Sequence, residues 1–295
     1  MSEPQAALRS LRPIQELLVG IDSDGCVFDS MELKHKECFI PNTVRVYDLQ
    51  AASKYVREAA EFVNLYSRWR GINRFPSLVL TIDLLRERPE VVRRGVRFPD
   101  VESLRQFWKS GKPLSNPSLS AEIAATKDPE LERALAWSEA VNRDVAAMVR
   151  GVPPFPFVRE CLEKIGAFAD AVCVSATPVA ALTTEWQEHG IDRHVRLIAG
   201  QEVGSKQQVL RAAVEAGYAP GNILMVGDAP GDLEAAKKNG ALFFPIVPGD
   251  EEASWARLHG EGLDRFRSRA FAGSYEDGLV ERFLERLPAE PPWKR

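Results

Sequence analysis

Leu17-Leu18-Val19-Gly20-Ile21-Asp22-Ser23-Asp24-Gly25 is the stretch that decides how this chain is read. An unbroken apolar run that stops abruptly at two carboxylates and a glycine has the pattern of a parallel strand buried on both faces, emerging at its carboxyl end into a loop. Ligands of open α/β sheets bind at the carboxyl ends of strands, so Asp22 is a candidate for chemistry by position alone. Asp24 follows two residues later, and Gly25 supplies the backbone freedom for a tight loop in which both carboxylates converge. Taken alone, the segment also fits a solvated turn with helix-capping carboxylates.

Working outward, further apolar runs over residues 171–174, 195–198, 223–226 and 242–247 read as strands, with helical patterns between them. Residues 157–168 are periodic. Thr177 offers an N-cap with Pro178 at the first helical position, in a helix closing at Gly190, and 205–216 and 232–238 end at Gly217 and Gly240. Strands alternating with helices predict the α/β class with a doubly wound parallel sheet.

The alternation stops between 31 and 150, where only helical periodicity is legible. The sequence therefore predicts an all-helical domain inserted at 31–150 into an α/β core formed by 1–30 and 151–295. Tyr55, Ala59, Phe62, Tyr66 and Trp69 recur at spacings of four and three, one apolar face of a long helix. Asp128-Pro129 opens another, with Glu130 and Glu132 in its first turn and Gly151 past its end. Gly151, Pro153, Pro154 and Pro156 form a stiff return to the core, and residues 288–295 are expected to fray.

Other strand ends finish on residues that a phosphoryl site needs. Ser175 follows 171–174, and its hydroxyl could donate to a phosphoryl oxygen; the alternative is a helix cap, for which Thr177 is better placed. Lys206 follows Ser205, which with Gln208 forms a capping-box pattern, so this lysine falls in the first turn of a helix. The helix dipole disfavours a cation there unless a bound anion or nearby carboxylates offset it. The run 223–226 ends in Gly227-Asp228-Ala229-Pro230-Gly231-Asp232. Asp232 alone fits a helix cap. Asp228 ends an apolar strand as Asp22 does, and carboxylates gathered at one sheet edge repel unless a cation sits between them. Hard oxygen ligands of this kind suit magnesium.

Composition narrows the partners. The chain has 295 residues, 45% apolar and 27% charged, as in an ordinary globular protein able to bury a core. A net charge of −4 lacks the long-range attraction of nucleic-acid binders, so no nucleic-acid partner is expected. Cys26, Cys38, Cys161 and Cys173 form no Cys-x-x-Cys pair and read as reduced, structural thiols. No stretch has the length of a signal peptide core or a membrane span, so a cytoplasmic protein without a membrane partner is expected.

In this order, these residues resemble the four motifs of the haloacid-dehalogenase-like hydrolase superfamily. Asp22-Ser23-Asp24-Gly25 with Asp29-Ser30 looks like the first motif, Ser175 the second, Lys206 the third, and Gly227-Asp228 with Asp232 the fourth. The helical insertion falls where that family commonly carries a cap domain. The resemblance implies a Rossmann-like core and a magnesium ion held by Asp22, the backbone carbonyl of Asp24, and Asp228. It also implies the chemistry. Asp22 attacks phosphorus to form an aspartyl-phosphate, and Asp24 protonates the leaving oxygen and then takes a proton from water. Ser175 and Lys206 bind phosphoryl oxygens, and Asp232 orients Lys206 or a metal-bound water. A small phosphorylated substrate would be selected by the inserted helices. Arg68, Arg70 and Arg74, around Trp69 and Gly71, are candidates for an anionic leaving group, a solvated basic helix end being the alternative.

Asp24 argues against carbon–halogen cleavage, since the dehalogenase branch lacks an acid at that place. A phosphomutase acting on a sugar phosphate would retain both carboxylates. A phosphate-binding or phospho-accepting regulatory protein without turnover would need Asp22 but not Asp24. A nucleotide-binding Rossmann domain does not fit, because no Gly-x-Gly-x-x-Gly follows the first strand. The oligomeric state is left open.

Overall fold

The structure, a computed structural model, describes residues 6 and 8–294. The chain divides into two compact units, one of Met1–Met31 with Gly151–Leu287, the other of Glu32–Arg150 with Pro288–Arg295.

The first unit is built on five parallel strands: β1 (Leu17–Ile21), β2 (Ala169–Val174), β3 (Ile198–Ala199), β4 (Ile223–Gly227) and β5 (Leu242–Pro245). Their order is β3-β2-β1-β4-β5. The chain starts at the centre, moves out through β2 to β3, then returns to the other flank of β1 and continues to β5. This is the α/β, Rossmann-like doubly wound sheet expected from the sequence, and its direction reverses between β1 and β4, the place where such sheets open a crevice.

Both faces are covered, which is why the strands read as unbroken apolar runs. Leu17, Val19, Ile21, Ala171, Cys173, Leu224 and Val226 enter one core with Trp186, Trp255 and the helix Val158–Gly166. Leu18, Val172, Val174, Ile223 and Met225 enter the other, with Leu210 of helix Lys206–Ala216 and Ala235 of helix Pro230–Lys238. Gly20 lies under the second layer: a Cβ there would stand 3.3 Å from Met225 Sδ and 3.4 Å from Leu210 Cδ2. All four cysteines are free and buried.

Several expected boundaries move. The run 195–198 contributes only Ile198–Ala199 to the ladder. Its earlier residues follow a 3₁₀ turn, although Arg196 N still donates to Ala171 O at 2.8 Å and Cys173 N to Leu197 O at 2.9 Å. Thr177 is not a helix cap: the helix runs Val179–Glu188 with Pro178 at the cap position, and the N–H of Val179 is satisfied by Glu202 at 2.9 Å. The capping box at Ser205 and Gln208 is present as read.

The second unit contains only helices and turns among its described residues, with Ser53–Asn64, Arg74–Arg86, Glu102–Lys109, Asn116–Thr126 and Pro129–Met148 the longest. Their core includes Val56, Phe62, Phe75, Ile82, Phe107 and Trp137. Asp128 caps its helix as expected, accepting from Glu130 N at 2.8 Å and Leu131 N at 3.3 Å. The apolar stripe from Tyr55 to Trp69 is not one helix. The helix ends at Asn64, where Arg70 Nη1 takes the Leu65 carbonyl at 3.0 Å and Gly71 adopts φ +77°. Trp69 nevertheless meets Phe62 edge-on at 5.9 Å.

The segment 288–294 is neither frayed nor part of the sheet unit. Trp293 lies 5.7 Å from Phe62 and 4.5 Å beneath the Arg88 guanidinium, and Arg68 N donates to Pro288 O at 3.3 Å, so one aromatic ring with partners outweighs the weak ordering expected of a tail. Among the described residues no helix is long and apolar enough to cross a membrane.

Candidate active site

Asp22 extends β1 by one bond, its N–H donating to Val226 O at 2.9 Å. The chain then folds tightly. The Ser23 carbonyl accepts from Val27 N at 2.8 Å and Phe28 N at 3.1 Å, and Gly25 turns at φ +74° while donating to Phe28 O at 2.8 Å. Ser23 Oγ accepts from the buried indole of Trp186 at 3.0 Å, and Asp22 Oδ1 accepts from Ser23 N at 2.8 Å. A loop tied at this many points holds its carboxylates in fixed directions.

Four charged groups meet beside it. Lys206 Nζ donates to Asp22 Oδ2 at 2.6 Å and to Asp232 Oδ1 at 2.5 Å. Asp232 Oδ2 in turn accepts from Ala229 N at 3.0 Å, which keeps the carboxylate facing the lysine. Gly227 makes this possible, since a Cβ there would lie 2.5 Å from the Asp232 side chain. Asp22, Asp228 and Asp232 are all buried and offer oxygens within 4.8 Å of one another.

Burial pushes Asp22 well above the usual carboxylate range; Lys206 pulls it back, and Asp232 and Asp228 push it further up. Asp232 is also raised, by burial first, against the pull of Lys206. Burial alone would lower Lys206, but Asp22, Asp232 and Asp228 overcome it and raise the ammonium, so the lysine stays charged. Three buried carboxyl groups crowd together in a desolvated crevice, their ionised forms repel one another, and a cation between them relieves that repulsion. Three clustered carboxylate oxygens are the hard donors magnesium takes, so the residues fit that ion.

Asp24 is held apart from this cluster. One oxygen accepts from Ser30 Oγ, and Oδ2 accepts from Thr177 Oγ1 at 2.6 Å. Its side chain does not join the carboxylate group of Asp22, Asp228 and Asp232. Ser175 is buried at the end of β2, its N–H donating to Ala199 O at 2.9 Å and its Oγ accepting from Thr177 N at 3.2 Å. Asp22, Asp24, Ser175, Lys206, Asp228 and Asp232 thus all belong to the sheet unit and follow the carboxyl ends of β1, β2 and β4 or begin the helices beside them.

Sequence reasoning missed Thr177 and Trp186 as supports of this site. The Thr177-Pro178 pair looked like a cap, and nothing local marks a threonine that reaches a carboxylate 153 positions away. The only signal was its place two residues after Ser175.

Arg68, Arg70 and Arg74 belong to the helical unit. Arg68 is exposed, Arg70 is buried with Nη1 on the Leu65 carbonyl, and Arg74 Nη1 donates to Ser138 Oγ at 2.9 Å and Asn142 Oδ1 at 2.6 Å.

No protein-family profile and no curated protein matches the chain. Solved structures do. A haloacid-dehalogenase-like family hydrolase from Xanthomonas campestris aligns at 14% identity and TM-score 0.45, covering 88% of this chain and 96% of that one. A haloacid-dehalogenase-like hydrolase from Streptococcus pneumoniae aligns at 16% identity and TM-score 0.44, covering 83% and 91%. A hydrolase of the same superfamily from Geobacter sulfurreducens aligns at 15% identity and TM-score 0.39, covering 79% and 88%. At such TM-scores and identities, the likenesses assign neither activity nor substrate to this chain.

Proposed function

We propose that this protein is a magnesium-dependent phosphohydrolase that cleaves a small phosphorylated metabolite through an aspartyl-phosphate on Asp22. The observation that carries the reading is the buried group of Asp22, Asp228 and Asp232 beside Lys206, at the switch point of a doubly wound sheet.

Asp22, Asp228 and the backbone carbonyl of Asp24 would hold the magnesium, whose chemistry when bound is to neutralise charge on the phosphoryl oxygens. The chain's own residues do the rest. An oxygen of Asp22 attacks phosphorus, the bond to the substrate's leaving oxygen breaks, and Asp24 gives that oxygen a proton. Asp24 then takes a proton from water as the water oxygen attacks phosphorus and the bond to Asp22 breaks, restoring Asp22 as a carboxylate and Asp24 as the acid. The hydroxyls of Ser30 and Thr177 hold Asp24 in one orientation for both transfers. Lys206 and Ser175 stabilise the phosphoryl oxygens, and Asp232 keeps Lys206 in place. The helical unit is proposed to select the substrate, and the free, buried cysteines support a cytoplasmic setting.

Hydrolysis of an aryl phosphate should require magnesium and fall by about a thousandfold or more in Asp22→Asn. Turnover in that variant that persists without magnesium would end the proposal. Accumulation of a long-lived acyl-phosphate without phosphate release would instead favour a phospho-accepting regulator.

A further inference from the structure

Three arginines of the helical unit that are largely withdrawn from water are matched to carboxylates. Arg88 pairs with Glu58 and Glu90, Arg105 with Asp83 and Glu102, and Arg133 with Asp48. Arg74 faces none among the described residues. Its Nη1 is fixed on neutral acceptors, the Ser138 carbonyl at 3.2 Å, Ser138 Oγ at 2.9 Å and Asn142 Oδ1 at 2.6 Å, while its guanidinium lies 5.2 Å over the Phe39 ring. Ser138 Oγ is oriented in turn by Asn116 Oδ1 at 2.7 Å. Nε and Nη2 have no acceptor among the described residues. Burial lowers the group to about 10, so it remains a cation at neutral pH without a counter-ion.

A guanidinium braced on one nitrogen, supported by an aromatic face and free along its Nε–Nη2 edge is pre-oriented for two parallel bonds to an oxyanion. The neutral partners matter: a carboxylate in place of Asn142 or Ser138 would cancel the charge that attracts the ligand. We propose that Arg74 is an anion-binding residue of the helical unit, taking a carboxylate or phosphate group of a ligand along that edge. Taking the ligand to be the substrate hydrolysed at Asp22 rests on the proposed function; the anion site itself does not.

Two measurements test this. Calorimetric titration of magnesium-free protein with malonate and with inorganic sulfate should show binding by wild type and a loss of about tenfold or more in both Arg74→Ala and Arg74→Lys, since an ammonium cannot make the paired bonds. No binding to wild type, or equal binding by all three proteins, overturns the proposal. Arg74→Lys keeps the charge and serves as the folded comparison if Arg74→Ala does not fold. The second measurement uses alkyl phosphates of one length ending in a carboxylate, a second phosphate or a hydroxyl. The kcat/KM ratio of each charged ester to the hydroxyl ester should fall about tenfold in Arg74→Lys, the larger fall identifying which anion is preferred. An unchanged ratio overturns the assignment to substrate. Failure of wild type to turn over any ester, with Arg74-dependent binding intact, would break the phosphohydrolase reading and leave the anion site standing.

Discussion

Two cations largely withdrawn from water, one in each unit, are each bracketed by two carboxylates, yet they differ in what lies around them. Lys206 faces Asp22 and Asp232, whose side chains are 6% and 0% exposed, with Asp228 buried beside them. Arg88 faces Glu58 and Glu90, which are 36% and 42% exposed, and is roofed by Tyr55 at 4.6 Å and Trp293 at 4.5 Å. The carboxylates around Arg88 reach water, while those around Lys206 are buried. Burying a cation therefore does not mark a site. Crowding several carboxylates out of water around it does, because their mutual repulsion persists only where something bound between them relieves it.

The comparison can be broken by removing each cation. Lys206→Met strands three carboxylates in the crevice, and chemical denaturation should show a loss of about 3–5 kcal/mol in the unit that holds it. The same loss in Arg88→Met would mean that the two environments are equivalent; the expected cost there is about 1–2 kcal/mol, mostly lost stacking on Tyr55 and Trp293, with the thermal response to magnesium intact.

A sharper version removes one of the crowded carboxylates. Asp22 and Asp232 are raised in the folded chain, partly by Asp228. Above the unfolded carboxylate range the folded protein binds more protons than the unfolded chain, so in the metal-free protein these groups cost stability as pH rises. Asp228→Asn should therefore raise the metal-free melting temperature, by a few degrees, with a gap over wild type that widens from about pH 5 to about pH 8. It should also abolish the stabilisation that magnesium gives wild type. A metal-free melting temperature below that of wild type at neutral pH would contradict this account of the crevice.

Much of the crevice was legible in the sequence because its parts are short and local. β1 runs over the same residues that the apolar run marked, and Ser205 with Gln208 announced the helix that carries Lys206. The carboxylates at 22, 228 and 232 could be listed from strand ends, but their meeting depends on β1 and β4 being neighbours, which no single segment states. What could not be read is long-range. Thr177 looked like a cap because Pro178 follows it, and its actual partner, Asp24, is in another part of the chain. The helix end at Asn64 was hidden because Trp69 stays in helical register with the apolar stripe after the backbone has left it. Residues 288–294 read as a loose tail because polar and proline-rich composition says nothing of the slot that Phe62 and Arg88 make for Trp293.

That slot bears on how the protein is made. The helical unit takes Trp293 from a stretch synthesised only after every strand of the sheet has left the ribosome, so its core stays open on the Phe62 side throughout translation of residues 151–287. An aromatic surface waiting that long is a place where a nascent chain can be held by chaperones or can associate wrongly, and the arrival of one tryptophan closes it.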